Sequence, residues 1–311
     1  GNSRATRGIN KMIEQVAANY PNFHPAFRYL GDMYRMSGRA EEAIDAYQRC
    51  IELCPDPTTL YGLAMSYLFD GDVANGEATF REIVNSYPDH LPAQYFLAVL
   101  SARAGRFDEA IERIKYILDA DPDFTQPGMQ PAAVLLVQAY SGAKRADELP
   151  SILEPMIQKH PRSPNIRAAL AAYHSARNQY VDALRILRDG LDLKPFDRTL
   201  TSNLATLLAA CPDPALRRPF EAIELAEGLC KHSEYTDPES LSTLSMVYSA
   251  VHRLPEAKAL TERALGIARE RGNQSLENAL VQLLAQQEKA IASGARTELT
   301  TMPATVPSGG D

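Results

Sequence analysis

The chain has 311 residues, 45% of them hydrophobic and 23% charged, with a formal net charge of −7. That is ordinary globular material, and an acidic balance without a Lys/Arg run argues against a general nucleic-acid binder, which needs clustered cations against phosphate. The most apolar run, "AAVLLVQAY", is too short to span a membrane.

In chain order, the first eight residues, "GNSRATRG", read as a disordered leader or processing remnant, and residues 9–23 as a lone helix from a half-repeat. Residues 24–124 read as three pairs of helices. In the first pair, Phe27, Leu30, Gly31 and Tyr34 fall at i, i+3, i+4 and i+7, one face of an α-helix, and Ala43, Tyr47 and Cys50 make one face of the next. The second pair repeats this with Leu60, Leu63, Ala64 and Tyr67, then Gly76, Phe80 and Ile83; the third with Gln94, Leu97, Ala98 and Ser101, then Ala110, Ile114 and Ile117. Gly31 and Ala43 are expected where the first two helices approach most closely, since bulk at both would push the axes apart. The turn glycines Gly38, Gly71 and Gly105 are 33 and 34 residues apart. The closing prolines Pro55, Pro88, Pro122, Pro161 and Pro195 are spaced 33, 34, 39 and 34. A helical period near 34 means a stacked array in which each unit buries its apolar face on its neighbours.

Residues 125–197 carry two further pairs and five extra residues, with "TQPGMQ" as the insertion. Pro155 falls inside a helix, where it removes the bond to Ser151, so a kink and a change of path are expected over residues 125–160. Ser163 before Pro164 fits an N-cap with proline in the first turn. Residues 198–271 hold two more pairs, the first interrupted by the loop "CPDPALRRP", the second capped by Asp237. Residues 272–292 read as a capping helix with Leu276, Leu280, Leu283, Leu284 and Ile291 on one stripe. Residues 293–311 read as a disordered tail.

No phosphate-binding glycine loop, GxGxxG, HExxH or GxSxG occurs. The six histidines are scattered. Paired acids sit at helix ends, where capping and solvation explain them better than acid/base catalysis. Cys50 and Cys54 share a helix face; a two-cysteine site is the alternative to plain packing, and packing is the ordinary role of a free cysteine. The cysteine usage favours a reducing, cytoplasmic compartment, with an extracytoplasmic domain of a longer chain as the alternative.

The pattern Phe27, Leu30-Gly31, Tyr34, Ala43, Tyr47, Cys50, Pro55 resembles the tetratricopeptide repeat, and the resemblance extends over roughly residues 9–292, about seven repeats. It implies an all-α fold, a right-handed superhelix of antiparallel helix pairs. Such arrays bind protein or peptide segments in the concave groove lined by the first helix of each pair, without metal or other cofactor. Carried over position by position, the groove residues are Arg28, Asp32 and Arg35, then Tyr61, Met65 and Leu68, then Tyr95, Val99 and Arg103, with Gln138 in the fourth pair. Tyr61, Met65 and Tyr95 are expected to form an apolar patch flanked by arginines.

Two specialised branches of the family are disfavoured. The carboxylate-clamp positions hold Arg28, Asp32, Gly62, Pro92 and Phe96, and the positions of an Asn ladder hold Tyr29, Gly62, Phe96, Leu135, Ala169, Asn203 and Thr243, with one amide among seven. The expected function is a non-catalytic interaction scaffold rather than an enzyme. The alternative is the non-catalytic arm of a larger enzyme or membrane protein, covalently preceded by another domain, since similar arrays end long bacterial chains.

Overall fold

The computed structural model describes residues 2–124 and 131–293. Among these residues there are sixteen α-helices, two short 3-10 turns and no strand. The fold class is all-α, a tandem array of antiparallel helix pairs of the α-α solenoid kind. The chain divides into two compact units, residues 1–120 with 138–144, and residues 121–137 with 145–311.

In the first unit, α1 (Asn2–Asn19) precedes three pairs: α2 (His24–Met36) with α3 (Ala40–Leu53), α4 (Pro57–Asp70) with α5 (Val73–Ser86), and α6 (Leu91–Arg103) with α7 (Phe107–Ala120). α1 begins at Asn2, so the expected disorder through residue 8 gives way to helix. Its Ala17, Ile13 and Val16 pack against Ala26, Leu30 and Ala46 of the first pair, and this apolar contact gives a lone amphipathic helix a reason to form. α8 (Ala132–Gly142) contributes to both units.

The second unit continues with α9 (Leu149–Lys159), α10 (Pro164–Ala176), α11 (Tyr180–Leu193), α12 (Arg198–Ala210), α13 (Pro219–His232), α14 (Pro238–Ala250), α15 (Leu254–Glu270) and α16 (Gln274–Ala292). α9 runs through Pro155, which is exposed, so the proline does not end the helix. The "TQPGMQ" insertion, which with Pro155 motivated the expected change of path, lies outside the described residues, as does the tail beyond Ser293. The "CPDPALRRP" loop folds on itself: Asp213 caps the 3-10 turn Pro214–Leu216, and Arg217 Nε donates to the Cys211 carbonyl at 2.7 Å.

Helix starts follow local side-chain chemistry. Asp56 accepts from the Thr58 and Thr59 amides, Asp72 from Asn75, Ser163 from Ile166, Asp237 from Ser240 and Asn273 from Leu276. Each cap satisfies amides that the first helical turn leaves without partners. Except between α12 and α13, the turns inside the pairs share one left-handed residue. It is Gly38, Gly71 or Gly105 in the first three pairs and Lys144, Asn178 or His252 in later ones. Gly71 takes φ 88° with nothing within 4 Å of a would-be Cβ, so Gly71→Ala strains the backbone without a clash. A loss of about 1 kcal/mol is expected in urea unfolding; an unchanged midpoint would mean that the turn relaxes.

Two details differ from the sequence reading. Gly31 makes room for a side chain rather than a helix axis: its Cβ would meet the Tyr47 ring at 2.6 Å. In α16 the buried positions are Leu280 and Gln287, whereas Ile291 is 41% exposed. Gln287 is held in the helix interface because Nε2 donates to Ser245 Oγ at 2.8 Å and Ser249 Oγ at 2.9 Å.

Candidate partner-binding face

The expected groove residues of the first unit lie on α2, α4 and α6. On α2, Arg28, Asp32 and Arg35 are spaced i, i+4 and i+7 and share one face. Tyr47, rising from α3, organises two of them. Its ring is 1% exposed and lies between Gly31 and Gly62, whose Cβ atoms would each come within 2.6 Å of it. Its hydroxyl donates to Asp32 Oδ1 at 2.7 Å and accepts from Arg35 Nε at 3.4 Å. Arg35 and Asp32 are 4.0 Å apart. Burial first, then the Asp32 carboxylate, pushes the Tyr47 phenol above its ordinary value, so it remains a donor. Asp32 and Arg35 thus present a fixed acid/base pair rather than two free charges.

On α4, Tyr61 and Met65 are half-buried. The Tyr61 ring meets Phe80 edge-on at 5.8 Å, Phe96 at 5.9 Å and His90 at 5.7 Å. Phe80 and Phe96 stack at 5.3 Å. Tyr61 therefore belongs to an aromatic cluster joining α4, α5 and α6, with one edge left open. Burial pushes its phenol up while Arg35 draws it down, which places Arg35 near it. Burial pushes the His90 imidazole down, leaving it neutral as its Nδ1 caps α6 through the Ala93 amide.

Not every expected residue faces outward. Tyr95 is 2% exposed and packs edge-on against Phe96 at 5.8 Å, so it belongs to the core rather than to an exposed patch. Leu68 packs on Gly76, whose Cβ would meet it at 2.7 Å. Val99 is half-buried, and Arg28, Arg103 and Gln138 are exposed. Among the described residues neither Arg28 nor Arg103 makes a hydrogen bond or an ion pair, although Arg28 lies near enough to Asp56 to help hold that carboxyl down.

Sequence reasoning missed a charge network on the second helices of the pairs. Arg81 Nη2 bridges Glu77 at 2.8 Å and Glu109 at 2.7 Å; Arg106 reaches both, and Arg113 adds a contact to Glu109 at 3.1 Å. The i, i+4 pairs Glu77–Arg81 and Glu109–Arg113 were its available signal. The Cys50 thiol is buried, donates to the His24 carbonyl at 3.3 Å and is pushed up by that burial, so it fits packing. No group of three potential metal ligands and no helix long and apolar enough to cross a membrane occurs among the described residues.

Comparison with known proteins agrees with this geometry. Residues 24–57 and 61–123 match two tetratricopeptide-repeat family models. Among solved structures, yeast Tom70 superposes with a TM-score of 0.62 at 14% identity, covering 92% of this chain and 59% of that one. A tetratricopeptide repeat protein from Parabacteroides merdae gives 0.51 at 13% identity, covering 83% of this chain and 98% of that one. A 97-residue stretch is 30% identical to the human protein O-mannosyl-transferase TMTC2 and spans 12% of that protein's length. Fold and face define a class: a helical-repeat protein whose helices are spent on packing against their neighbours. The matches identify residues 24–57 and 61–123 as tetratricopeptide repeats.

Proposed function

We propose that the chain is a non-catalytic interaction scaffold holding a peptide or protein segment across α2, α4 and α6. The observation that carries this reading is the make-up of that face. Two exposed arginines without ion pairs among the described residues, Arg28 and Arg103, accompany the Asp32–Tyr47–Arg35 relay and the open edge of Tyr61. Arginine and aromatic edges are the groups that dominate binding energy at interfaces. Every perturbed acid or phenol described above is accounted for by a cap, an ion pair or packing, which supports a role without catalysis.

The test is affinity capture from native lysate with wild type and Arg28→Glu/Arg103→Glu. Both side chains are exposed, so the variant keeps its fold and loses partner recovery. Equal recovery removes the face from consideration. Tyr61→Ala is a poorer probe because it also unpacks Phe80 and Phe96. A second reading makes the array a non-catalytic arm of a larger enzyme or membrane protein. The stretch shared with a transferase favours it, and the sequence of the complete gene decides it.

A further inference from the structure

Two grooves in the chain are topologically equivalent, and only one is filled by the chain's own side chains. Residues 73 apart correspond: Pro88 with Pro161, Gln94 with Arg167, Leu97 with Leu170, Glu109 with Asp182. In the groove of α5, α6 and α7, Gln94 is the floor. It is 8% exposed, donates to the Pro88 carbonyl at 3.1 Å and accepts from Arg113 Nη1 at 2.7 Å. Arg113 thus stands over the floor, and Arg81 and Arg113 both pair with Glu109.

In the groove of α9, α10 and α11, Arg167 is the floor. It too is 8% exposed, and its Nε donates to the Pro161 carbonyl at 3.1 Å, the same anchor. The counterpart of Arg113 is Ile186, and that of Arg81 is Glu154, so neither guanidinium is present. The Arg167 Nη groups have no protein acceptor among the described residues. An open groove of about 640 Å³ lies over them, with Ile157, Leu170 and Ile186 in its walls. Arg185 binds Asp182 at 3.2 Å and Asp189 at 3.9 Å. That leaves Glu154 and Asp192, both exposed on the rim, without an ion pair among the described residues. His174 is occupied by Gln179 at 2.8 Å.

We propose that this groove takes a lysine- or arginine-bearing peptide segment of a protein partner. A backbone carbonyl of the segment accepts from the Arg167 guanidinium, which a neutral acceptor does without meeting the rim acids. The aliphatic stem of the basic side chain lies on Ile157, Leu170 and Ile186, and its cation reaches Glu154 and Asp192. In effect the partner restores the cation that Arg81 supplies in the equivalent groove. An anionic ligand suits Arg167 alone, because four carboxylates outnumber two guanidiniums around the groove. The site is on different helices from the α2, α4 and α6 face and stands independently of it.

The test is fluorescence polarisation with a labelled Gly-Arg-Lys-Arg-Gly peptide and its Glu-substituted counterpart. Wild type is expected to bind the basic peptide and not the acidic one. Glu154→Lys/Asp192→Lys, two exposed changes that leave the melting curve in place, weakens binding on the order of tenfold. Asp45→Lys/Glu82→Lys makes the same net-charge change on α3 and α5 and leaves the affinity intact. Arg167→Gln, which returns the floor to the residue found at position 94, weakens it several-fold. The proposal fails if the basic peptide does not bind, if both charge reversals act equally, if Arg167→Gln has no effect, or if the acidic peptide binds more tightly.

Discussion

Tyr47→Ala is expected to lower stability by about 3–5 kcal/mol, the range for emptying a buried aromatic site. The ring is 1% exposed and sits between α2 and α4, touching the positions where Gly31 and Gly62 lack a Cβ. Its loss opens a cavity on both sides and releases Asp32 and Arg35 from the hydroxyl that holds them. Urea unfolding followed by circular dichroism reads the loss. Tyr47→Phe separates the contributions: the ring stays and only the hydroxyl goes, at about 0.5–1.5 kcal/mol. The sharper check is a double-mutant cycle. Gly31→Ala alone forces a Cβ to 2.6 Å from the ring and costs about 1–3 kcal/mol by overpacking. In a Tyr47→Ala background the same methyl enters the empty space and costs little. A strongly non-additive pair is therefore expected; simple addition would show that Gly31 is required for some reason other than Tyr47.

The same residue shows why the sequence was only partly readable. That Arg28, Asp32 and Arg35 share a face follows from helical period alone. That Asp32 and Arg35 are tied together does not, because the tying hydroxyl belongs to another helix, 15 and 12 residues further along. Periodicity also fails for a helix buried nearly all round. In α6, Ala93 to Ala98 are buried without a break, so the spacing that marks Tyr95 as a groove position says nothing about its exposure. The first three pairs were legible because glycine marks each turn. Later pairs place Lys144, Asn178 and His252 at the same left-handed position, so the backbone repeats while its signal disappears. In α16, Gln287 is buried where an apolar stripe was expected to continue, since serines of α14 supply its hydrogen bonds.

Acid is expected to weaken the first unit through Glu109. Burial alone would raise its pKa, but hydrogen bonds from Arg113, Ser101, Arg106 and Arg81 outweigh burial and carry the carboxyl from its ordinary value near 4.5 down to about 2. Glu77, which shares Arg81 and Arg106, is lowered for the same reason. The sign follows from linkage: the folded chain holds the charged form more strongly than the unfolded chain does. The stabilisation is complete above pH 4.5 and is lost as pH falls from there toward 2. The network is partly exposed, so screening by water reduces the contribution to about 1–2 kcal/mol. Glu109→Gln removes the charge while keeping the shape. At neutral pH it leaves Arg81 and Arg106 sharing Glu77, and Arg113 without its carboxylate, and lowers the melting temperature; 1 M salt narrows the gap because exposed charges are screened. The stability difference between wild type and Glu109→Gln should shrink as the pH is lowered through 4.5 toward 2, where wild type is protonated too. A difference that stays constant over that range would mean that Glu109 acts through packing, and that the arginines around it contribute shape rather than charge.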